Sequence, residues 1–274
     1  HQFGIVEIDD RFDIQHTGNN FLNHSDYLLN IVRLFDPVFA DEVYRIDREL
    51  LAVPREQHRQ YVPEHYSELN RLYSLLHQRV LDNRDLLVDR IGEMEFEFAE
   101  RNAYCRKIYV QFKNGDPGES IVGKTNLRDL AMGEMAYYLK DRIYPERKMV
   151  IWAHNFHTYR KVGEIRKSSY EPFNSPVLMG DILSHYFGDR FYAIGMLAYR
   201  GRINYGQVTD IQISGSNFIE SVLNSTTADN LFVDMRHQVE TEGNSWMFQE
   251  MRQKYLHSKD GAYDIFYRPR QQLD

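Results

Sequence analysis

The stretch Lys148-Met-Val-Ile-Trp-Ala-His-Asn-Phe-His157 predicts both the fold class and the place of the functional site. It begins with the apolar run 149–152 and ends with His154 and His157, two imidazoles three residues apart. In an open α/β sheet, the chemistry lies where a buried strand gives way to polar side chains. We therefore predict a strand over 148–153 and a cleft that holds the two histidines directly after it.

The sequence around this strand alternates between helical and strand-like patterns. Helices are predicted over 127–143, 177–187, 216–224 and 244–257, and further strands over 191–195, 231–233 and 263–267. Such alternation is typical of a mostly parallel sheet flanked by helices. The predicted fold class is therefore α/β.

The region before residue 115 has a different character, because leucine, glutamate, arginine and tyrosine dominate it. Leu69, Leu72, Leu76 and Val80 follow one another at helical spacing. Helices are predicted over 25–35, 38–52, 64–82 and 83–113. We interpret residues 23–114 as a helical insertion into an α/β core that consists of 1–22 and 115–274.

Composition excludes several classes of function. The 274 residues carry a net charge of −7, so there is no basic footprint for nucleic acid. No apolar run is long enough to span a bilayer, which leaves a small molecule as the expected partner. Cys105 is the only cysteine and forms no intrachain disulfide, which favours the cytoplasm. Since the chain begins at His1 rather than Met, export with a removed N-terminal segment is the alternative.

Common catalytic signatures are absent from the sequence. It contains no Gly-x-Ser-x-Gly elbow, no P-loop and no Gly-x-Gly-x-x-Gly. The usual serine hydrolase and nucleotide-binding arrangements are therefore not supported, and we predict no cofactor.

A carboxylate interrupts the apolar stripe of the helix predicted after Asn126. Asn126 is a candidate N-cap, and Asp129 lies three residues later, near the positive end of the helix dipole. The stripe consists of Leu127, Leu130, Ala131, Glu134 and Tyr138. A buried carboxylate such as Glu134 must be paired, hydrogen-bonded or protonated, and Arg128 flanks the stripe. Glu134 and Arg128 either line a pocket or form a structural ion pair.

Three interpretations of His154 and His157 compete on residue type alone. One histidine could be a general base or acid, because its pKa lies near neutrality. The pair could bind a metal, although no third ligand stands beside it. Both could be structural. Asp13, Gln15 and His16 close the first apolar segment and either face the same cleft or form a turn.

The series of motifs resembles the erythromycin esterase-like family. The motifs, in chain order, are Arg128-Asp-Leu-Ala-Met132-Gly-Glu134, Val150-Ile-Trp-Ala-His-Asn-Phe-His157, Met179-Gly180, Tyr192-Ala-Ile-Gly195, Gly215-Ser216 with Glu220, and Asp234-Met-Arg236. The resemblance implies an α/β core with a helical insertion. It also implies hydrolysis of an ester or lactone by an activated water, without a covalent enzyme intermediate.

The resemblance also implies a set of site residues. The expected catalytic residues are His154, His157 and Glu134, and Arg128 is expected to bind the substrate. Asp13, Gln15 and His16 are also expected to bind the substrate, from their position at the end of the first apolar segment rather than from the resemblance. Arg128 or an imidazolium would stabilise the developing oxyanion. No metal is expected in this site.

One motif of the family is absent from the sequence. The family carries an N-terminal Gly-Glu-x-x-His-Gly motif with its principal base, whereas none of the Gly-Glu pairs at 92, 118, 133 and 163 is followed by a histidine at the required position. We therefore expect a fragment or a shortened relative. The alternatives are a non-catalytic protein that binds a small molecule and a metal- or haem-handling protein that uses the histidine pair.

Overall fold

The fold was determined from a computed structural model. The described residues are 25–54, 57–114, 121–161, 167–168, 177–204, 208–226, 228, 230–257, 261–267 and 269. The chain forms two compact units. Unit 1 consists of His1–Ser120 and Ala131–Ile151, and unit 2 consists of Ile121–Leu130 and Trp152–Asp274. The division into an α/β core and an insertion at 23–114 stays a prediction.

Unit 1 is helical, as its sequence pattern predicts. Its helices are α1 (Ser25–Val32), α2 (Pro37–Ala52), α3 (His58–Glu64), α4 (Tyr66–Asp82), α5 (Arg84–Ile91) and α6 (Glu93–Asn114). The side chain of Asp36 accepts a hydrogen bond from the Phe39 amide, and Pro37 occupies the first turn, so α2 begins at this point. Gly92 has a φ of 87° and separates α5 from α6 within the predicted helix 83–113.

The core of unit 1 contains the leucine stripe predicted from the sequence. The buried residues of α4 are Leu69, Leu72, Tyr73, Leu76 and Val80. One ion pair lies inside this helical packing: Arg106 Nη2 is 3.2 Å from Asp47 Oδ2, and both side chains are fully buried. The Tyr73 hydroxyl donates a 2.6 Å hydrogen bond to the other oxygen of Asp47.

Unit 2 combines short helices with short strands. Helix α7 (Ile121–Tyr138) supplies its first ten residues to this unit and continues into a π-helical turn, Leu139–Ile143. The other helices are α8 (Asn155–Thr158), α9 (Met179–Phe187) and α10 (Ile219–Asn224), with 3-10 turns at Gly188–Arg190 and Glu242–Met247. The strands are β1 (Lys167–Ser168), β2 (Arg200–Asn204), β3 (Val208–Gln212), β4 (Met251–His257) and β5 (Gly261–Tyr267).

The sheets differ from the predicted parallel sheet. Strands β1, β5 and β4 form one antiparallel sheet in that order, and β2 pairs antiparallel with β3. The described residues are therefore mostly helical with small antiparallel sheets, and the parallel arrangement is not confirmed. No helix in the described part of the chain is both long and apolar enough to cross a membrane.

Several elements predicted after residue 147 are wrong. Residues 148–153, 191–195 and 231–233 form no strand, and Trp152 is 80% exposed. An apolar run does not specify a strand by itself, because a strand needs a hydrogen-bonding neighbour. Residues 244–257 form a 3-10 turn and strand β4 instead of a helix, because pairing with β5 overrides local propensity. The last predicted strand is confirmed as part of β5.

Candidate functional site

The histidine motif forms a single helical turn that separates its two imidazoles. His154 is the N-cap of α8, where its Nδ1 accepts a 3.2 Å hydrogen bond from the Phe156 amide. The His157 amide donates to the His154 carbonyl oxygen at 2.9 Å. As a result, His154 is exposed whereas His157 is buried, with 8% of its surface accessible.

Asn155 fastens this turn to the segment that follows α9. Its Oδ1 accepts a 3.0 Å hydrogen bond from the Met196 amide, and its Nδ2 donates to the Met196 carbonyl oxygen at 2.7 Å. A side-chain amide that satisfies both backbone groups of one residue fixes both the position and the direction of the turn. These two hydrogen bonds therefore help to fix the orientation of the turn that carries His154 and His157.

Asp129 is the buried partner of His157. Its side chain is fully buried, and its Oδ1 lies 2.8 Å from His157 Nδ1. The same oxygen accepts a 3.2 Å hydrogen bond from the amide of Met179, the first residue of α9. A carboxylate only accepts hydrogen bonds, so the proton of the neutral imidazole lies on Nδ1.

Arg128 packs on the same imidazole. Its Nη2 lies 3.0 Å from Nε2 and 3.4 Å from Nδ1 of His157, and 3.6 Å from Oδ2 of Asp129. The Arg128 side chain is only 14% exposed, so most of it is buried beside this ring. Arginine stays charged and only donates hydrogen bonds, so this contact requires a neutral ring.

The electrostatics of this cluster favour the neutral form of His157. Burial lowers the pKa of His157 below its ordinary value of 6.5, and the charge of Arg128 lowers this pKa further. The hydrogen bond to Asp129 acts in the opposite direction and does not outweigh burial. His157 is therefore a neutral imidazole whose protonated nitrogen faces Asp129.

The start of α9 lies directly on the end of α8. A methyl group at Gly180 would stand 2.4 Å from the carbonyl oxygens of both Thr158 and Tyr159, so only glycine fits. Asp181 accepts hydrogen bonds from the amides of Leu178 and Lys161, which caps the helix. Burial raises the pKa of Asp181. This close approach brings the Met179 amide to Asp129.

A second group of buried polar side chains connects α8 and α10 to strand β4. The Tyr159 hydroxyl donates a 2.8 Å hydrogen bond to Gln253 Oε1, and Glu220 Oε1 accepts a 2.9 Å hydrogen bond from the Lys254 amide. Gln253 and Glu220 are each 3% exposed. Burial raises the pKa of Tyr159 well above its ordinary range, so the hydroxyl stays a donor. These bonds tie α8 and α10 to the sheet.

The structure brings only part of the predicted site together. Arg128 and His157 are in contact, and His154 caps the same turn. Glu134 belongs to unit 1, where its side chain is 30% exposed and lies 4.0 Å from Arg101 Nη1, so its predicted burial is wrong. The helix carries both Glu134 and an exposed Leu130, because its inward face is narrower than the predicted stripe. Asp13, Gln15 and His16 lie outside the described residues.

The sequence pattern gives Asp129 a different role from the one that the structure shows. Helix α7 begins at Ile121, so Asn126 is not its N-cap and Asp129 lies inside the helix rather than in its first turn. The available signal was the adjacent pair Arg128-Asp129, two and three residues after Asn126, in the helix that precedes the histidine motif along the chain. Within the described ranges, no group of three histidine, cysteine, aspartate or glutamate side chains could hold a metal ion.

Comparisons with known proteins agree with the motif series. The erythromycin esterase family matches residues 12–273. The putative hydrolase YbfO of Bacillus subtilis (strain 168) is 31% identical over 129 residues, which is 44% of this chain. The matched segment is 28% of the length of that relative.

A solved structure shares the fold. The crystal structure of a succinoglycan biosynthesis protein superposes with a TM-score of 0.67 at 16% sequence identity. The superposition covers 93% of this chain and 59% of that one, and at this identity it concerns the fold alone. Since the family match extends over almost the whole sequence, the chain belongs to the erythromycin esterase family.

Proposed function

We propose that the protein is a hydrolase that cleaves a carboxylic ester or lactone of a small molecule by attack of an activated water. The single observation that carries the proposal is the contact between Arg128 and His157, with His157 held by the buried Asp129. Membership of the erythromycin esterase family and the likeness to a putative hydrolase support the same reaction class.

The chemistry of ester hydrolysis suits this cluster. Attack of water on the carbonyl carbon produces a tetrahedral intermediate whose oxygen carries a negative charge. A fixed cation stabilises that oxygen, and such stabilisation is commonly the largest single contribution to acyl transfer. We assign this role to Arg128, whose Nη2 lies 3.0 Å from the neutral ring of His157 and 3.6 Å from Asp129 Oδ2.

His154, His157 and Glu134 are the proposed catalytic side chains, and Arg128, Asp13, Gln15 and His16 are proposed to bind the substrate. The reaction passes directly from the tetrahedral intermediate to acid and alcohol, without an acyl-enzyme. Proton transfer by a positioned side chain contributes roughly 100-fold or more to such reactions.

A hydrolysis assay tests the proposal. The protein is incubated with p-nitrophenyl esters and macrolide lactones, and kcat/KM is compared with that of the Arg128→Met, His154→Ala and His157→Ala variants. Each variant is expected to lose about 100-fold in kcat/KM. His185→Ala is the matched control, because His185 is an exposed histidine of α9 in the same unit.

Two results would contradict the proposal. Turnover that is unchanged in all three variants would place the reaction elsewhere, and a pre-steady-state burst of p-nitrophenol would indicate an acyl-enzyme. Binding of the esters without turnover would instead support a binding protein that uses the same cluster.

A further inference from the structure

The two histidines of α8 differ in every property that decides what an imidazole can do. His157 is buried and contacts Asp129 and Arg128 through its ring nitrogens. His154 is exposed, and its Nδ1 accepts a hydrogen bond from the Phe156 amide. The Nδ1 atoms of the two rings therefore differ in role: Nδ1 of His157 faces a hydrogen-bond acceptor, whereas Nδ1 of His154 faces a donor.

His157 is poorly placed to act as a base. Its Nδ1 carries the proton that Asp129 accepts, so a further proton would have to bind at Nε2. Arg128 Nη2 lies 3.0 Å from that atom, and a second positive charge would meet the guanidinium at short range in a buried place. The ring instead acts as a neutral surface that holds the guanidinium.

His154 is placed to donate a hydrogen bond rather than to accept a proton. Because the Phe156 amide is a donor, Nδ1 of His154 must be the unprotonated nitrogen, and the neutral ring carries its proton on Nε2. A neutral imidazole with Nε2–H can hydrogen-bond to a carbonyl oxygen and stabilise the charge that develops there. This role requires no transfer of its proton.

We infer that the pair divides the work of the proposed ester hydrolysis: His157 is a positioning residue that holds Arg128, and His154 is the catalytic residue that donates a hydrogen bond from Nε2 to the substrate carbonyl oxygen. This inference rests on the proposed function and changes the role of His157 in it from a catalytic to a positioning one. The attacking water loses its proton to a second water molecule rather than to either imidazole, and the alcohol takes up a proton from solvent as it leaves.

Glutamine variants separate this division from acid–base catalysis. A glutamine amide can accept a hydrogen bond from Arg128 or donate one to a carbonyl oxygen, but it cannot take up a proton. We expect His157→Gln and His154→Gln to keep kcat/KM within about tenfold of the parent, and the alanine variants to lose about 100-fold. If a histidine acted as a base, its glutamine and alanine variants would lose the same activity. Equal losses in the two variants would therefore overturn the division.

Nitrogen-15 NMR of the imidazole rings tests the same inference without turnover. At pH 7.5 in the full chain, we expect His157 as the Nδ1–H tautomer and His154 as the Nε2–H tautomer, with signals assigned from the two glutamine variants. His185→Gln is the control for removal of one imidazole from unit 2. An Nε2–H tautomer or a charged ring at His157 overturns the inference, whatever the activity.

The two measurements distinguish the inference from the proposed function. If the parent shows the expected tautomers and the glutamine variants retain turnover, both the division of roles and the proposed function are supported. Wrong tautomers together with ester hydrolysis overturn the division alone. Expected tautomers without hydrolysis of any ester overturn the proposed reaction, and with it the catalytic role of His154.

Discussion

Two aspartates, one in each unit, are fully buried and have different partners. In unit 1, Asp47 binds Arg106 and the hydroxyl of Tyr73, and all three side chains are completely enclosed. In unit 2, Asp129 binds an imidazole and a backbone amide through one oxygen, and Arg128, whose side chain is 14% exposed, lies 3.6 Å from the other oxygen.

We propose that a buried carboxylate serves stability in unit 1 and the proposed reaction in unit 2. Arginine and tyrosine keep their protonation states near neutral pH, so the network of Asp47 has a single charge state. The partner of Asp129 is a histidine, whose charge changes in the physiological range. In the proposed reaction, a partly exposed cation held by a neutral ring can contact a substrate, whereas the fully enclosed ion pair of unit 1 cannot.

The strongest test of this comparison is Asp47→Ala in unit 1. The substitution leaves the charge of Arg106 and the hydroxyl of Tyr73 buried without the carboxylate, which typically costs about 3–5 kcal/mol of unfolding free energy. Denaturant unfolding measures the loss. Asp41→Ala is the matched control, because the Asp41 side chain is 72% exposed and its ion pair with Arg33 is worth at most about 1 kcal/mol.

The activity of the same variant sharpens the comparison. If Asp47 serves stability alone, the folded Asp47→Ala protein keeps its kcat/KM under conditions where it remains folded. An equal loss of unfolding free energy in the Asp41→Ala control would show that burial does not set the contribution of these carboxylates.

The helical unit could be predicted closely because its signal is local. Spacing at Leu69, Leu72 and Leu76 predicts both the helix and its buried face, and the structure confirms α4 with that face inward. The break at Gly92 was not predicted, because an isolated glycine within a helical pattern is often tolerated.

Unit 2 could be predicted less well because its elements depend on distant partners. The apolar runs at 191–195 and 231–233 have the composition of buried strands and yet form none, whereas 251–257 has helix-forming residues and pairs with β5. Within the candidate site, residue types identify Arg128 and His157. The role of Asp129 depends on the approach of α9, which no local pattern encodes.

A second prediction disturbs the surroundings of Asp129 while leaving every polar side chain in place. In Gly180→Ala, the new methyl group would meet the carbonyl oxygens of Thr158 and Tyr159 at 2.4 Å, so α9 must move away from α8. We expect a loss of about 1–3 kcal/mol in unfolding free energy and a lower kcat/KM, measured by denaturant unfolding and the ester assay.

The control for this variant is Gly243→Ala, where an added methyl group meets no atom within 4 Å. That variant is expected to change the unfolding free energy by less than about 1 kcal/mol. If Gly180→Ala behaves like this control, the close contact between the two helices does not hold the site.

The smallest expected effect is a pH dependence of stability that arises from His157. The folded pKa of His157 lies below 6.5, its ordinary value, chiefly because the ring is buried. Between the two values the unfolded chain binds a proton that the folded chain does not, so the unfolding free energy rises with pH through this window. The contribution is fully present above pH 6.5 and is lost as the pH falls towards the folded pKa.

The measurement is the difference in unfolding free energy between the parent and His157→Gln, taken from pH 7.5 down to pH 5. Because Asp181 is present in both proteins, the effect of its raised pKa cancels in the difference. We expect the advantage of the parent to shrink as the pH falls, with His185→Gln as the control for loss of one imidazole. A difference that grows on acidification would mean that Asp129 holds a charged imidazolium. The contrast between the neutral ring beside Asp129 and the charged guanidinium beside Asp47 would then disappear.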